Sequence, residues 1–331
     1  MRRSGSGVQA GGVLRTSRPA AKRFPRGCHH RAVDSGDELA FLRASVAPPH
    51  RSIVELIGRG VLDAELAALA WLLVEARVPI IVAGLERGAG KTTLLEALLD
   101  FLPSTARRID LAGVSEDFAW LPEAEALGWT RAVPYEPVAI PVAPASAVLV
   151  APEISEHLPI YTWGRAARTL VRAASIGYGI AATLHADRLE DVHDVLRARP
   201  VGLTDDELSY LGLIMIIRAD RGPDGHIRRR VVTAHYARPV GRDEHGHTQR
   251  LPPAILAHRE PADDRLDHFE WGVMPELAIR LERKAGELER DQQERSAILA
   301  GLARDGALDL ETLKTTIAAH RAARRADAHV H

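Results

Sequence analysis

The sequence predicts an α/β fold, a parallel sheet with helices on its faces. Three observations carry that prediction. Short apolar runs recur as Ile80 to Ala83, Arg108 to Ala112, Val148 to Ala151, Ile180 to His185 and Leu213 to Arg218. Helix-prone segments separate them, and strands alternating with helices build parallel sheets. The first run leads directly into a glycine-rich turn and an apolar helical stretch, the layout of a strand, loop and helix unit.

Length and charge bound the rest. At 331 residues the chain makes one large or two modest domains with a substantial core. Its 43 basic and 44 acidic residues leave a net charge of -1, so no global field draws it to nucleic acid or an anionic membrane. Direct nucleic-acid binding is not expected. The single cysteine, Cys28, excludes an internal disulfide framework and a multi-cysteine zinc site, which fits a reducing compartment. The most apolar run, Leu66 to Val74, falls far short of the roughly 20 residues that span a bilayer.

Residues 1–50 carry Gly, Ser, Pro and many arginines with no acidic residue before Asp34, and they read as a disordered basic arm. A transit peptide has a similar composition, but no cleavage signal supports one here. Cys28-His29-His30 could hold a metal, although in a flexible arm such residues are usually solvated. Order begins near Ser52, where Ser52-Ile-Val-Glu55 has capping-box spacing. Asp63 can cap a second helix, Ala64 to Ala76, which is apolar around most of its circumference and therefore buried. Beyond the fifth strand, Leu213 to Arg218 and Ile227 to Ala237 flank Arg221-Gly-Pro-Asp-Gly-His226, which predicts a hairpin at the sheet edge. A polar loop holding His245-Gly-His247 follows. Helices are then expected over Pro275 to Arg295, Ile298 to Ala303 and Leu310 to His320.

Chemistry concentrates in Gly84-Leu-Glu-Arg-Gly-Ala-Gly-Lys-Thr-Thr93. Backbone N–H groups of such a loop point at phosphates, a lysine reaches the outer phosphates, and the following hydroxyl holds Mg²⁺. Gly84, Gly88, Ala89, Gly90, Lys91, Thr92 and Thr93 are the candidate nucleotide ligands, with Lys91 on the phosphates and Thr92 on the metal. The loop is one residue longer than Gly-x4-Gly-Lys-Thr. Only four lysines occur in the chain, at 22, 91, 284 and 314, so a lysine between Gly90 and Thr92 is unlikely to be accidental. Asparagine is absent, which excludes the Asn-Lys-x-Asp element by which many P-loop GTPases read guanine and favours ATP.

Two further elements complete a site. Such a cradle needs a carboxylate at the end of a neighbouring strand to hold Mg²⁺ or polarise the attacking water. Val148-Leu-Val-Ala-Pro-Glu153 supplies Glu153, a candidate catalytic residue and metal ligand, against the plainer reading of an ordinary loop glutamate. Gly177-Tyr-Gly-Ile-Ala-Ala-Thr-Leu-His-Ala-Asp187 places His185 at the end of another strand, and carboxyl ends of parallel strands converge on one crevice.

The pattern Gly177-x-Gly-x-x-x-Thr-x-His-Ala186 resembles the histidine box of the type II and type IV secretion ATPases, the ring motors of pilus and archaellum assembly and of protein or DNA export. Glu153 matches the glutamate of that family's Walker B segment. Ser52-Ile-Val-Glu-Leu-Ile-Gly58 through Lys91 is similar to its lead-in helices and Walker A loop. Arg228-Arg-Arg-Val231 resembles its late arginine strand, and Arg295-Ser-Ala-Ile-Leu299 with the following helices is similar to the archaeal and tight-adherence branches. Together these identify a divergent relative over about Ser52 to His320. The resemblance implies a RecA-like P-loop NTPase core at 51–240 bearing the edge hairpin, and a loop plus C-terminal helical appendage at 241–331. It also implies ATP and Mg²⁺ as cofactors, with His185 sensing the γ-phosphate, and a homo-oligomer, a hexamer in the family. The partner would be an integral membrane platform protein, and the location cytoplasmic, peripheral at the inner face of the membrane.

Departures from the family surround the same site. Pro152 replaces the glycine before the glutamate, Ser155 an arginine, and Tyr178 the histidine after Gly177. In place of the aspartate box stand Ala112-Gly113-Val114-Ser115, with Glu116-Asp117 only afterwards, so either the loop is longer or the box is lost. The family's N-terminal domain, which lends arginines across the subunit boundary, has no counterpart in residues 1–50. Arg165, Arg168 and Arg172 share one helical face and could substitute, though a solvated or structural face is the plainer reading. These departures keep a second function open, a nucleotide-binding structural or regulatory subunit with reduced hydrolysis. A small-molecule kinase is the third, weaker for want of an acceptor or lid segment.

Overall fold

The computed structural model describes residues 49–130, 141–222, 224–242 and 244–328. The basic arm and its Cys28-His29-His30 group therefore lie outside the described residues. The described elements begin with α1, Ile53–Gly58, and α2, Ala64–Glu75. The Ser52 hydroxyl accepts the Glu55 N–H at 3.1 Å and Asp63 accepts that of Leu66 at 2.9 Å, so both N-caps are filled. Only one half of the expected capping box forms, because the Glu55 carboxylate turns to Arg51 and Arg59. Nine of the twelve α2 residues are buried, as a helix apolar all round requires.

β1, Ile80–Ala83, leads into α3, Lys91–Leu99. β2, Arg107–Asp110, precedes β3, Ala147–Ile154; α4, Arg165–Ala173, connects to β4, Gly179–Leu184; α5, Leu189–Arg197, and α6, Asp205–Leu208, lead to β5, Leu213–Arg221. The order β5-β1-β4-β3-β2 is wholly parallel and sets β1 between β4 and β5. Side chains alternate between the faces: Ile80 and Val82 enter one core with α1, α2 and α3, and Ile81 and Ala83 enter the other with α4 and α5. A RecA-like P-loop core is thus present, with both faces of the central strands buried.

From β5 the sheet turns antiparallel. β6, Ile227–Tyr236, pairs with β5 as the expected hairpin. A small ribbon of β7, Gly241–Arg242, and β8, Thr248–Gln249, stands apart. Then β9, Ala254–Glu260, and β10, Arg265–His268, extend the main sheet beyond β6 to eight strands among the described residues. Sequence reading assigned this stretch to a loop.

The C-terminal helices are α7, Met274–Arg280, α8, Ala285–Arg304, and α9, Leu310–Ala328. The single helix expected over Pro275 to Arg295 breaks at Glu282, whose φ is +54°, and the segment around Ile298 continues α8 without interruption. Leu288, Leu299, Leu313 and Ile317 are buried in the same core as α2. Each such side chain contributes about 1.5–3 kcal/mol, enough to dock these helices firmly. Among the described residues no helix is long and apolar enough to cross a membrane.

Candidate functional site: a phosphate cradle beside a glutamate and histidine pair

Three strand ends meet at one cavity of about 1240 Å³. The β1 end supplies the glycine-rich loop. A Cβ on Gly84 would lie 2.6 Å from the Ile217 carbonyl oxygen of β5, so no side chain fits there. Gly90 caps α3 with φ +98°, a left-handed conformation natural to glycine. The loop therefore stays close to β5. The arrangement suits an anionic phosphate, because the first amides of α3 lack intrahelical partners. Its lengthened form is held by β6, where the Arg229 guanidinium donates to the Gly88 carbonyl at 2.8 Å.

Lys91 is the first residue of α3 and only 7% exposed. Its ammonium donates to the Gly84 carbonyl at 3.0 Å. Burial pushes its pKa down, and the Glu153 charge opposes that shift. Ala89 is buried, and the cavity is also lined by Gly88, Gly90, Thr92 and Thr93. Gly84 itself packs behind the loop.

Glu153 reaches the cavity through a β-bulge. The β3–β4 register shifts between Ala151 and Ile154, and the buried Thr183 hydroxyl of β4 donates to the Pro152 carbonyl at 2.6 Å. Proline can occupy the glycine position of the family motif because the bulge demands no amide donor there. The Glu153 carboxylate then sits 3.1 Å from His185 Nε2. His185 Nδ1 lies 3.0 Å from the Leu85 carbonyl oxygen, which ties the β4 end to the phosphate loop. Lys91, Glu153 and His185, far apart in sequence, share one wall.

Other candidates take structural roles. The Glu116 carboxylate is buried and accepts from the Ala112 and Phe118 amides at 2.8 Å each and from the Trp120 indole at 3.2 Å. Neither it nor Asp117 lines the cavity. Arg168 donates to the Val201 and Pro200 carbonyls, and Arg172 to Glu207 and the Leu127 carbonyl, so this face braces the fold. Tyr178, 1% exposed, donates its hydroxyl to the Val142 carbonyl, which accounts for an aromatic where the family has histidine.

Sequence reading passed over His157 and Tyr161, which line the same cavity from the loop after β3. Tyr161 is pushed up in pKa by burial and by the Glu153 charge, against the pull of Arg87. The spacing of His157 four residues after Glu153 was the available signal.

No family model matches the chain, and no curated protein matches it. Among solved structures it is similar to the VirB11 ATPase from the Brucella suis type IV secretion system, in complex with sulphate. That pair shares 20% identity over 63% of this chain and 59% of the other, with a TM-score of 0.34. It is also similar to the Legionella pneumophila ATPase DotB, at 14% identity over 75% of this chain and 63% of that one, with a TM-score of 0.28. The chain spans less than two thirds of either relative's length.

Proposed function

We propose that the chain is the ATP-binding, ATP-hydrolysing motor subunit of a type II or type IV secretion or pilus assembly system. The observation that supports this most is the convergence of Lys91, Glu153 and His185 on one cavity beside a glycine cradle. Amides from Gly88 to Thr92 would hold the phosphates, Lys91 would neutralise their outer charge, and Thr92 with Glu153 would hold Mg²⁺. The bound metal would withdraw electron density from the terminal phosphate. Glu153 would take a proton from the attacking water, and His185, set between the Leu85 carbonyl and the Glu153 carboxylate, would report the state of the terminal phosphate to both loops. Cytoplasmic hexamers docked on a membrane platform are the working arrangement in this reading.

The second reading, a nucleotide-binding subunit with reduced hydrolysis, is favoured by one observation. Glu116 accepts from loop amides with its carboxylate, and among the described residues neither it nor Asp117 lines the cavity. Steady-state ATP turnover, measured with light scattering in parallel, tests the motor. Turnover accompanied by nucleotide-dependent assembly is expected. A chain that stays monomeric at every ATP concentration contradicts the ring, and ATP binding without turnover favours the second reading.

A further inference from the structure

The loop after β3 brings a third donor to the Glu153 and His185 pair. One nitrogen each of His157 and His185 and one Glu153 carboxylate oxygen lie within 4.8 Å of one another. The two imidazoles meet edge to face with centroids 5.8 Å apart. His157 is held by Ser155, whose hydroxyl contacts its Nδ1 and accepts its backbone N–H at 3.1 Å.

The hydrogen bonds around His185 define which atom is free. A carbonyl oxygen only accepts, so the 3.0 Å contact with Leu85 requires the proton on Nδ1. Lys91 donates to Gly84 at 3.0 Å and makes only a longer contact, 3.5 Å, with that nitrogen. In the neutral ring Nε2 then carries a lone pair, aimed at a carboxylate oxygen 3.1 Å away. Two electron-rich atoms at that distance need a cation between or beside them. A proton on Nε2 would satisfy the pair alone, whereas a metal ion would also engage His157, whose ring nitrogen converges on the same point. An imidazole whose far nitrogen donates to a backbone carbonyl is the usual orientation of a metal ligand.

We propose that Glu153, His157 and His185 form a site for a divalent transition-metal ion, zinc in the first instance, which shares Glu153 with the proposed Mg²⁺ position on Thr92. Two imidazoles and one carboxylate suit zinc, with bonds of about 2.0–2.2 Å and a fourth position open to the cavity. Tetrahedral bonds of that length separate ligand atoms by about 3.4 Å; the Glu153 and His185 atoms at 3.1 Å would open slightly, and His157, within 4.8 Å of both, would draw in. Mg²⁺ prefers six oxygens and gains little from imidazole. Zinc in this site would occupy Glu153 and arrest turnover. That consequence rests on the proposed ATPase reading, whereas the binding itself does not.

The test titrates the metal-free full-length chain with Zn²⁺ against a chromophoric chelator, and with Co²⁺ by visible absorption. One tight zinc per chain is expected, unmoved by millimolar Mg²⁺, with cobalt bands of a low-coordinate nitrogen and oxygen site. His157 is exposed, so His157→Ala removes a ligand without disturbing the core. It should weaken zinc tenfold or more, as should His185→Gln. Lys91→Ala should keep zinc or bind it more tightly, since a neighbouring positive charge is removed, while losing ATP. Zinc affinity unchanged by both histidine substitutions would assign the metal to the other histidines and overturn the site, as would displacement by Mg²⁺. Loss of ATP binding with zinc intact, or the converse, separates failure of this site from failure of the ATPase reading.

Discussion

At the scale of single residues, the proposed nucleotide binding rests on Lys91. Its partly desolvated ammonium has one carbonyl partner, at Gly84, and the cavity beyond it. Lys91→Ala should therefore reduce ATP affinity below detection in a calorimetric titration, and an unchanged affinity would contradict the cradle. Thr183 is a positioning residue. Thr183→Val leaves the Pro152 carbonyl without its partner, which costs about 1–3 kcal/mol and frees the bulge that aims Glu153. Denaturant unfolding should show the lost stability, and turnover should fall further than ATP affinity. Lys91 was legible as a candidate because it stands in a glycine-rich strand-loop-helix pattern, and Glu153 and His185 because each lies at the end of a recognisable strand. His157 and the Arg229 clasp on Gly88 were not, because their relevance comes from a loop and a sheet partner that meet the site only in three dimensions.

At the scale of elements, α8 is fixed by charge as much as by apolar contact. Asp291 is 1% exposed and receives Arg283 at 2.7 Å, Arg295 at 2.9 Å and His320 at 3.2 Å. Burial would raise its pKa, but the Arg295 and Arg283 hydrogen bonds and the Arg295 and Arg324 charges hold it well below the carboxylate range. Asp291→Ala strands those cations and should cost about 3–5 kcal/mol, read from the denaturation midpoint. Among the many charged residues of this helix, only the packing of α9 and α2 against it shows that one acid is internal. β9 and β10 were equally hidden. Ala254-Ile-Leu-Ala-His-Arg-Glu260 has too short an apolar run, after a polar loop, to announce a strand whose partner lies about twenty residues earlier in β6.

At the scale of the whole molecule, the central five strands were readable because alternation of apolar strands and helices has few solutions, whereas the antiparallel extension depended on distant pairing. That extension also carries a pH signature. His268 on β10 bonds to Asp63 at the α2 N-terminus at 2.8 Å and faces Glu270 at 3.5 Å. Burial disfavours its charge, yet the Asp63 and Glu270 hydrogen bonds outweigh that and raise its pKa to about 10. A raised folded-state pKa gives stability that is full below the unfolded value near 6.5 and lost as pH rises through about 10. Thermal unfolding of wild type should therefore weaken across that window, and His268→Gln should flatten the dependence. The central claim, that the cavity hydrolyses ATP, is tested most directly by comparing Glu153→Gln with wild type in ATP binding and turnover. Retained affinity with turnover lowered by about 10² or more is the predicted result; equal turnover in the two proteins would contradict it.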